Sequence, residues 1–286
     1  MRTERLYASL VRAARAHAAP RWDWDAWPAR LDPEAAWCHS PELVSLFGTD
    51  DWERLDEPAR RRLAFHEAVH LASLNVHGER ALIERAAALL GRGAGPFHEF
   101  LAHLVEEESR HLAAFAGFCH RYAGALHPDR QLALPRAWAE GEEELVLLAR
   151  VLVFEELVDA HDRALARDAR LAPVVRALHA WHHADEARHL AFGRRAVRER
   201  WAACVDAWPA DVTARVRREL AGWIDVIQAS LVSADTYRAA GLDDPIGLAA
   251  RTRRHPSTLA RRARLARRLR RTLAETGLAE PTQVER

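Results

Sequence analysis

The segment Glu107-Glu108-Ser109-Arg110-His111 returns further along the chain as Asp185-Glu186-Ala187-Arg188-His189. Both copies keep the order acid, Glu, small residue, Arg, His. A Glu and a His three positions apart share one face of a helix, so each copy is a two-toothed arm for a metal ion. Composition alone would give about one Glu-x-x-His pair in a chain of this make-up. Three occur, the third being Glu67/His70, so the weight rests on the recurrence of the whole pentapeptide.

Each copy sits where a core residue is due. The stripe around the first runs Leu101, Leu104, Glu108, His111, Phe115, Phe118, which is the i, i+3, i+4, i+7 pattern of a helix face turned inward. A buried, unpaired carboxylate loses several kcal/mol of hydration, about enough to upset a domain. Inward acids on neighbouring helices therefore imply neutralisation by a shared proton or a metal, and a dinuclear cation serves all of them at once.

Working outward, four long helical stretches follow one another. The first begins at Asp56-Glu57-Pro58 and runs to Leu90, where Gly91-Arg92-Gly93-Ala94-Gly95-Pro96 stops it. The second covers about Pro96 to Tyr122, the third about Trp138 to Arg167 and the fourth about Pro173 to Ala203, ended by Trp208-Pro209. Helices of ~30 residues reach ~45 Å, which suits a four-helix bundle. A fifth, about Asp211 to Val232, flanks it. The expected divisions are an N-terminal helix with a Trp- and Pro-rich connector (1–55), the bundle with its flanking helix (56–235) and a basic helical tail (236–286). The connector, residues 19–34, carries Pro20, Trp22, Trp24, Trp27, Pro28 and Pro33 and is expected to wrap the surface; a second one holds Pro128 and Pro135.

A bundle that holds two irons takes one Glu from each of two helices and Glu-x-x-His from the other two. On the first helix Glu67 shares a face with Leu63, Leu71 and Leu74 and reads as the inward carboxylate, with His70 beside it as a supporting or core histidine. On the third, Glu155 collects Leu148, Val151, Leu152 and Val158, whereas Glu156 collects Ala149, Val153 and Arg163. Glu155 is preferred, with Glu156 open. The fourth helix adds His182, four residues before Glu186, giving His-x-x-x-Glu-x-x-His; the equivalent position on the second helix is Leu104. That third imidazole would make the two metals unequal, and His179 and His183 read as surface neighbours.

The charges exclude other classes. Forty-two basic residues, all Arg, against forty-one acidic ones leave a net charge of +1, so no global field favours nucleic acid or an anionic membrane. Ten Arg between Arg251 and Arg271, interleaved with Leu259, Leu265 and Leu269, read as an amphipathic helix lying on the bundle or on the partner of a homodimer. Cys38, Cys119 and Cys204 lie far apart without a Cys-x-x-Cys, against a disulfide framework and a thiolate metal site. No apolar run approaches ~18 residues. A cytoplasmic protein with no membrane and no nucleic-acid partner is expected. The Gly91–Gly95 stretch lacks a preceding strand and a Lys, so it is a helix stop and not a phosphate loop.

The segment from about Asp51 to Ala203 resembles the ferritin-like di-iron oxygenases, and more narrowly the p-aminobenzoate N-oxygenase (arylamine oxygenase) family. The likeness rests on Glu67, Glu108 with His111, a Glu 27 residues before His182, and His182-x-x-Asp185-Glu186-Ala187-Arg188-His189. It implies an all-α ferritin-like bundle and seven metal ligands: Glu67, Glu108, His111, Glu155, His182, Glu186 and His189. Asp185 and Glu107 would orient ligating histidines from behind. It further implies two Fe ions cycling between Fe2+ and Fe3+, O2 as co-substrate, an external electron donor and a small amine or aromatic substrate that is N-oxygenated by a monooxygenase. Carbon hydroxylation or acyl-carrier-protein desaturation on the same core is the alternative. From another class come ferritin-like iron storage and a plain helical scaffold.

Overall fold

Proline and glycine punctuate the chain where its helices begin and end. In the computed structural model, which describes residues 2–17, 22–128 and 137–279, the elements are α1 (Arg2–Ala16), α2 (Asp50–Glu53), α3 (Glu57–Leu90), α4 (Pro96–Ala123), α5 (Glu142–Arg167), α6 (Pro173–Cys204), α7 (Ala210–Ser230), α8 (Ala234–Ala239), α9 (Pro245–Arg254) and α10 (Pro256–Glu275). Asp56 caps α3 by accepting from the Ala59 amide at 2.8 Å, with Pro58 in the first turn. Among the described residues the only β feature is one isolated bridge between Trp37 and Leu171. Pro20 and Pro135 of the two expected connectors lie outside the described residues.

Helices α3 and α4 pair across the short 91–95 turn and α5 and α6 across 168–172, forming a ferritin-like four-helix bundle with flanking helices. Inside it the apolar residues fall into two clusters. One holds Leu82, Leu89, Leu101, Leu104, Leu152 and Phe192; the other holds Val69, Val76, Phe115, Phe118, Leu165 and Leu178. Between them lies a layer of buried acids and histidines from all four helices.

The flanking pieces share these cores. Tyr7 and Leu10 of α1, Leu220 and Ile224 of α7 and Leu269 and Leu273 of α10 join the first cluster. The 22–34 connector does lie over the bundle: Trp27 is buried, stacks on Tyr122 and meets the edge of Phe118. Gly117 makes room for Trp24, since a Cβ there would stand 2.1 Å from the indole.

Two boundaries differ from the sequence reading. Helix α5 starts at Glu142 and not Trp138, because Gly141 before it takes φ 73°, a left-handed geometry that suits glycine. The Arg-rich stretch 251–271 is divided between two helices, α9 and α10: Pro256 opens α10, and His255 caps it by accepting from the Ser257 amide at 3.2 Å. Leu265 and Leu269 face inward, while Leu259 is exposed.

Candidate metal centre

The middle layer is built by symmetry of register. Glu79 lies twelve residues before the end cap of α3 at Gly91, and Glu108 thirteen after the start cap of α4 at Gly95. Glu155 lies thirteen before the end cap of α5 at Asp168, and Glu186 fourteen after the start cap of α6 at Ala172. Each hairpin thus brings two carboxylates to one level. Two overlapping groups form there: Glu79, Glu108, His111 and His182, and Glu108, His111, Glu186 and His189, with the donor atoms of each group within 4.8 Å of one another.

All seven of Glu79, Glu108, His111, Glu155, His182, Glu186 and His189 are buried. His182 Nε2 stands 3.5 Å from Glu79 Oε1 and 3.2 Å from Glu186 Oε1; His189 Nδ1 is 2.8 Å from Glu108 Oε1 and 3.3 Å from Glu186 Oε1. Despite this proximity, both oxygens of Glu79, Glu155 and Glu186, Glu108 Oε1, His182 Nε2 and His189 Nδ1 have no aligned hydrogen bond. Buried lone pairs that converge without partners are costly unless a cation collects them. Four ionised carboxylates carry four negative charges, the number that two divalent ions neutralise. The donors are carboxylate and imidazole, a set suited to iron or manganese. The residues therefore fit a dinuclear metal cofactor.

The electrostatics carry the same signature. Burial, and then the charges of Glu186, Glu108 and Glu79, holds the Glu155 carboxyl well above the usual range. Burial followed by Glu108 does the same to Glu79. Burial opposes ionisation of Glu108 and Glu186 as well, but His189 with His111, and His189 with His182, outweigh it and bring both below the usual value. In return His182 and His189 are raised: burial works against their charge and nearby carboxylates overcome it.

Behind each imidazole stands a carboxylate, and the two pentapeptides exchange theirs. Asp185 of α6 accepts from His111 Nε2 of α4 at 3.1 Å, and Glu107 of α4 accepts from His189 Nε2 of α6 at 2.7 Å. Arg188 ties the two acids together with a 2.9 Å bond to each, which explains why Arg recurs with the acid and the His. The third imidazole, His182, donates from Nδ1 to Asp162 of α5 at 2.6 Å. Such partners fix ring orientation and leave the other nitrogen for the metal. Asp162 escaped the sequence reading because its helix carries no repeat of the motif. It also binds His179 at 2.6 Å, so His179 is buried and not a surface residue. Removing the Asp162 charge in Asp162→Asn is expected to weaken metal binding at the His182 side by about 10–100-fold, read by titration of metal-free protein.

Glu67 corrects one expectation. It does not reach this layer: twelve residues and more than three turns before Glu79, it accepts from the Ser45 amide at 2.9 Å and from the Ser45 hydroxyl, in a separate cavity with His39, His161 and Arg261. Burial, against those hydrogen bonds, raises its carboxyl to about 7. The first-helix carboxylate of the cluster is Glu79. His70, beside Glu67, bonds to His127 and the Ser230 carbonyl. Of the two acids on α5, Glu156 points to Arg194 and Arg268, leaving Glu155 to the centre.

A second cavity ends at the centre. Leu82, Leu101, Leu104, Leu148, Leu152 and Phe192 line it, Glu155 and His189 stand within it, and the exposed Arg85 also contributes to its wall. Phe115 lies outside that lining and packs its ring edge-on to His182, 4.9 Å between centroids, and Phe154 lies over Gly78.

No curated protein matches the sequence. Among solved structures, a mutant of an R2-like ligand-binding oxidase with an anaerobically reconstituted Mn/Fe cofactor is similar at 15% identity and TM-score 0.47, covering 91% of this chain and 93% of that one. The family model described as P-aminobenzoate N-oxygenase AurF matches residues 2–277. With nearly its whole length matched, and two Glu-x-x-His arms facing each other across a four-helix bundle, the chain belongs to the p-aminobenzoate N-oxygenase family of ferritin-like di-iron oxygenases.

Proposed function

We propose that this protein is a di-iron monooxygenase that oxygenates the nitrogen of a small aromatic amine. The ligand set we assign is Glu79, Glu108, His111, Glu155, His182, Glu186 and His189. The observation that carries the narrow reading is His182: a third imidazole, fully buried, whose free nitrogen faces Glu79 and Glu186. It distinguishes this centre from one with only the two Glu-x-x-His arms, the pattern of the desaturase-like alternative.

Two ferrous ions would supply the electrons that activate O2, with an external donor restoring them. The chain's own work is positioning and exclusion. Asp185, Glu107 and Asp162 hold the three imidazoles with their outer N–H bonds, so each ring offers one fixed lone pair. The leucines and Phe192 of the cavity keep water from its inner end and admit a flat apolar body. Arg85 supplies a cation for an acidic substituent, which favours an aminobenzoate-like molecule with its amine toward Glu155 and His189.

The test is metal analysis followed by a product assay. Protein loaded with ferrous iron, given a one-electron donor, O2 and a panel of aminobenzoates and simple amines, is expected to give hydroxylamine, nitroso or nitro products detected by mass spectrometry. Oxidation of carbon alone, in the aromatics or in a saturated acyl chain, would replace this reading with the hydroxylase or desaturase one.

A further inference from the structure

The Trp-rich connector, which packs Trp27 into the core and supplies no metal ligand, reaches a metal-facing histidine. Trp181 on α6 meets the ring of His111 edge-on at 5.0 Å between centroids. Trp22 of the connector lies 5.1 Å from Trp181, Trp27 lies 5.4 Å from Trp22, and Trp24 lies 5.0 Å from Trp27. Trp24 is 40% exposed. Four indoles in successive contact thus join the buried centre to solvent.

Indole is among the most readily oxidised side chains, and a one-electron hole passes quickly between rings in contact. What usually traps a hole is loss of the indole N–H proton to an acceptor. Here Nε1 of Trp22, Trp27 and Trp181 is buried and has no hydrogen-bond partner, so the proton has nowhere to go and the hole stays mobile. A ferric ion at rest is too weak an oxidant to draw an electron from indole. The path is therefore of no use for ordinary reduction and matters only when a strong oxidising equivalent forms and no amine consumes it.

We propose that Trp181, Trp22, Trp27 and Trp24 form a discharge path that carries surplus oxidising equivalents from the metal centre to the surface and spares the ligands. The idea rests on the di-iron reading above. One electron leaves Trp181 through the His111 edge and reduces the oxidised centre, any accompanying proton there coming from solvent. Trp181 is refilled from Trp22, Trp22 from Trp27 and Trp27 from Trp24. Trp24 takes its electron from a dissolved one-electron reductant of the thiol or ascorbate class, which ends oxidised by one electron. No bond of any indole is made or broken while that reductant is present.

The experiment uses iron-loaded full-length protein, with iron content measured first, treated with hydrogen peroxide in the absence of amine and of reductant. Freeze-quench electron paramagnetic resonance looks for an indole radical, and peptide mass spectrometry maps where oxygen is added. In the parent protein we expect the radical, with oxygenation concentrated on Trp24. In Trp22→Phe, which keeps an aromatic ring in place, oxygenation should move inward to Trp181 and His111 and iron should be lost over repeated additions. In Trp24→Phe it should stop at Trp27. Ascorbate should suppress the surface product in the parent and fail to protect Trp22→Phe. If loaded parent and Trp22→Phe give the same map and the same iron retention, the path is wrong while the di-iron reading stands. If the parent binds no iron, both fall. A metal-free control with the parent's map would show direct surface oxidation and overturn the path.

Discussion

Changing Glu108 to Gln is expected to empty the centre of both metals, whereas Glu79→Gln should leave about half the metal and Glu67→Gln should leave all of it. Glu108 is common to the two donor groups, whereas Glu79 belongs to only one. Glu67 faces Ser45 in another cavity. Against two ions per chain in the parent, metal analysis of the purified variants checks the series directly. Turnover should vanish in Glu108→Gln and in Glu79→Gln, because reduction of O2 at a pair needs both ions, and persist in Glu67→Gln. Each variant keeps the shape of the side chain, and glutamine removes a buried charge, so failure to fold is not the expected confound; circular dichroism verifies it. Full metal occupancy in Glu108→Gln, or loss of metal in Glu67→Gln, would refute the assignment of this layer as the centre.

The contrast between Glu79 and Glu67 also shows where a sequence stops speaking. Helix ends were legible because proline, glycine and capping residues act locally: Asp56 with Pro58 starts α3 and Gly91 stops it, as read. The arms on α4 and α6 were legible because a repeated pentapeptide carries its own internal check. On α3 the check was missing. That helix is covered on most of its surface, with Ala64, Phe65, Ala68, Val69, Leu71, Ala72 and Val76 all buried, so sharing a face with leucines no longer distinguishes an inward carboxylate. What decides is depth along the bundle. A short turn forces residues equidistant from it to the same level, and counting back from Gly91 as far as Glu108 lies beyond Gly95 lands beside Glu79. The signal was in the loop length and not in the periodicity.

On α5 periodicity gave a preference for Glu155 and left Glu156 open; the two point 100° apart on a helix, and it is the fold that gives Glu156 its arginines, Arg194 and Arg268. Asp162 was illegible for a third reason. It serves His179 and His182 from another helix, and no local pattern announces a partner supplied across a packing interface. The sequence can show that an imidazole needs orienting without naming the residue that does it. The exchanged pairs, Asp185 with His111 and Glu107 with His189, are the exception, because the acid there rides in the motif itself.

Metal removal should turn the stability of this protein into a function of pH that the loaded form does not share. Without metal, Glu79 and Glu155 have carboxyls raised by burial and by neighbouring carboxylates, and His182 and His189 are raised by the acids around them against the cost of burial. A group whose pKa is raised on folding stabilises the folded state fully below its unfolded value and loses that contribution as pH climbs through the folded value. For the two glutamates the loss begins above their ordinary 4.5, and for the two histidines above 6.5. Asp162 and Asp185 act in the opposite sense: burial resists their ionisation, but His182 and His179, and His111 and Arg188, lower both, so their contribution disappears only as pH falls below the ordinary 3.8. In the metal-free protein the contribution of these metal-site groups should therefore be largest in mildly acidic solution and should be lost steadily from neutral to alkaline pH, while the histidines whose charge burial opposes, His39, His66, His70, His127 and His161, act the other way below 6.5 in both the metal-free and the loaded form. With divalent iron bound, the carboxylates are ionised and the histidines neutral already, so this alkaline loss should be absent, and iron should add ~4 kcal/mol when present at about a thousand times its dissociation constant. Iron uptake must also expel the protons held by these groups, so binding should release protons and weaken as pH falls. Anaerobic thermal melts from pH 5.5 to 9, with and without ferrous iron, measure the difference, and proton release in weak buffer measures its cause. A gap between the two melting curves that stays constant across that range, with no proton released, would show that these side chains do not change protonation when metal binds.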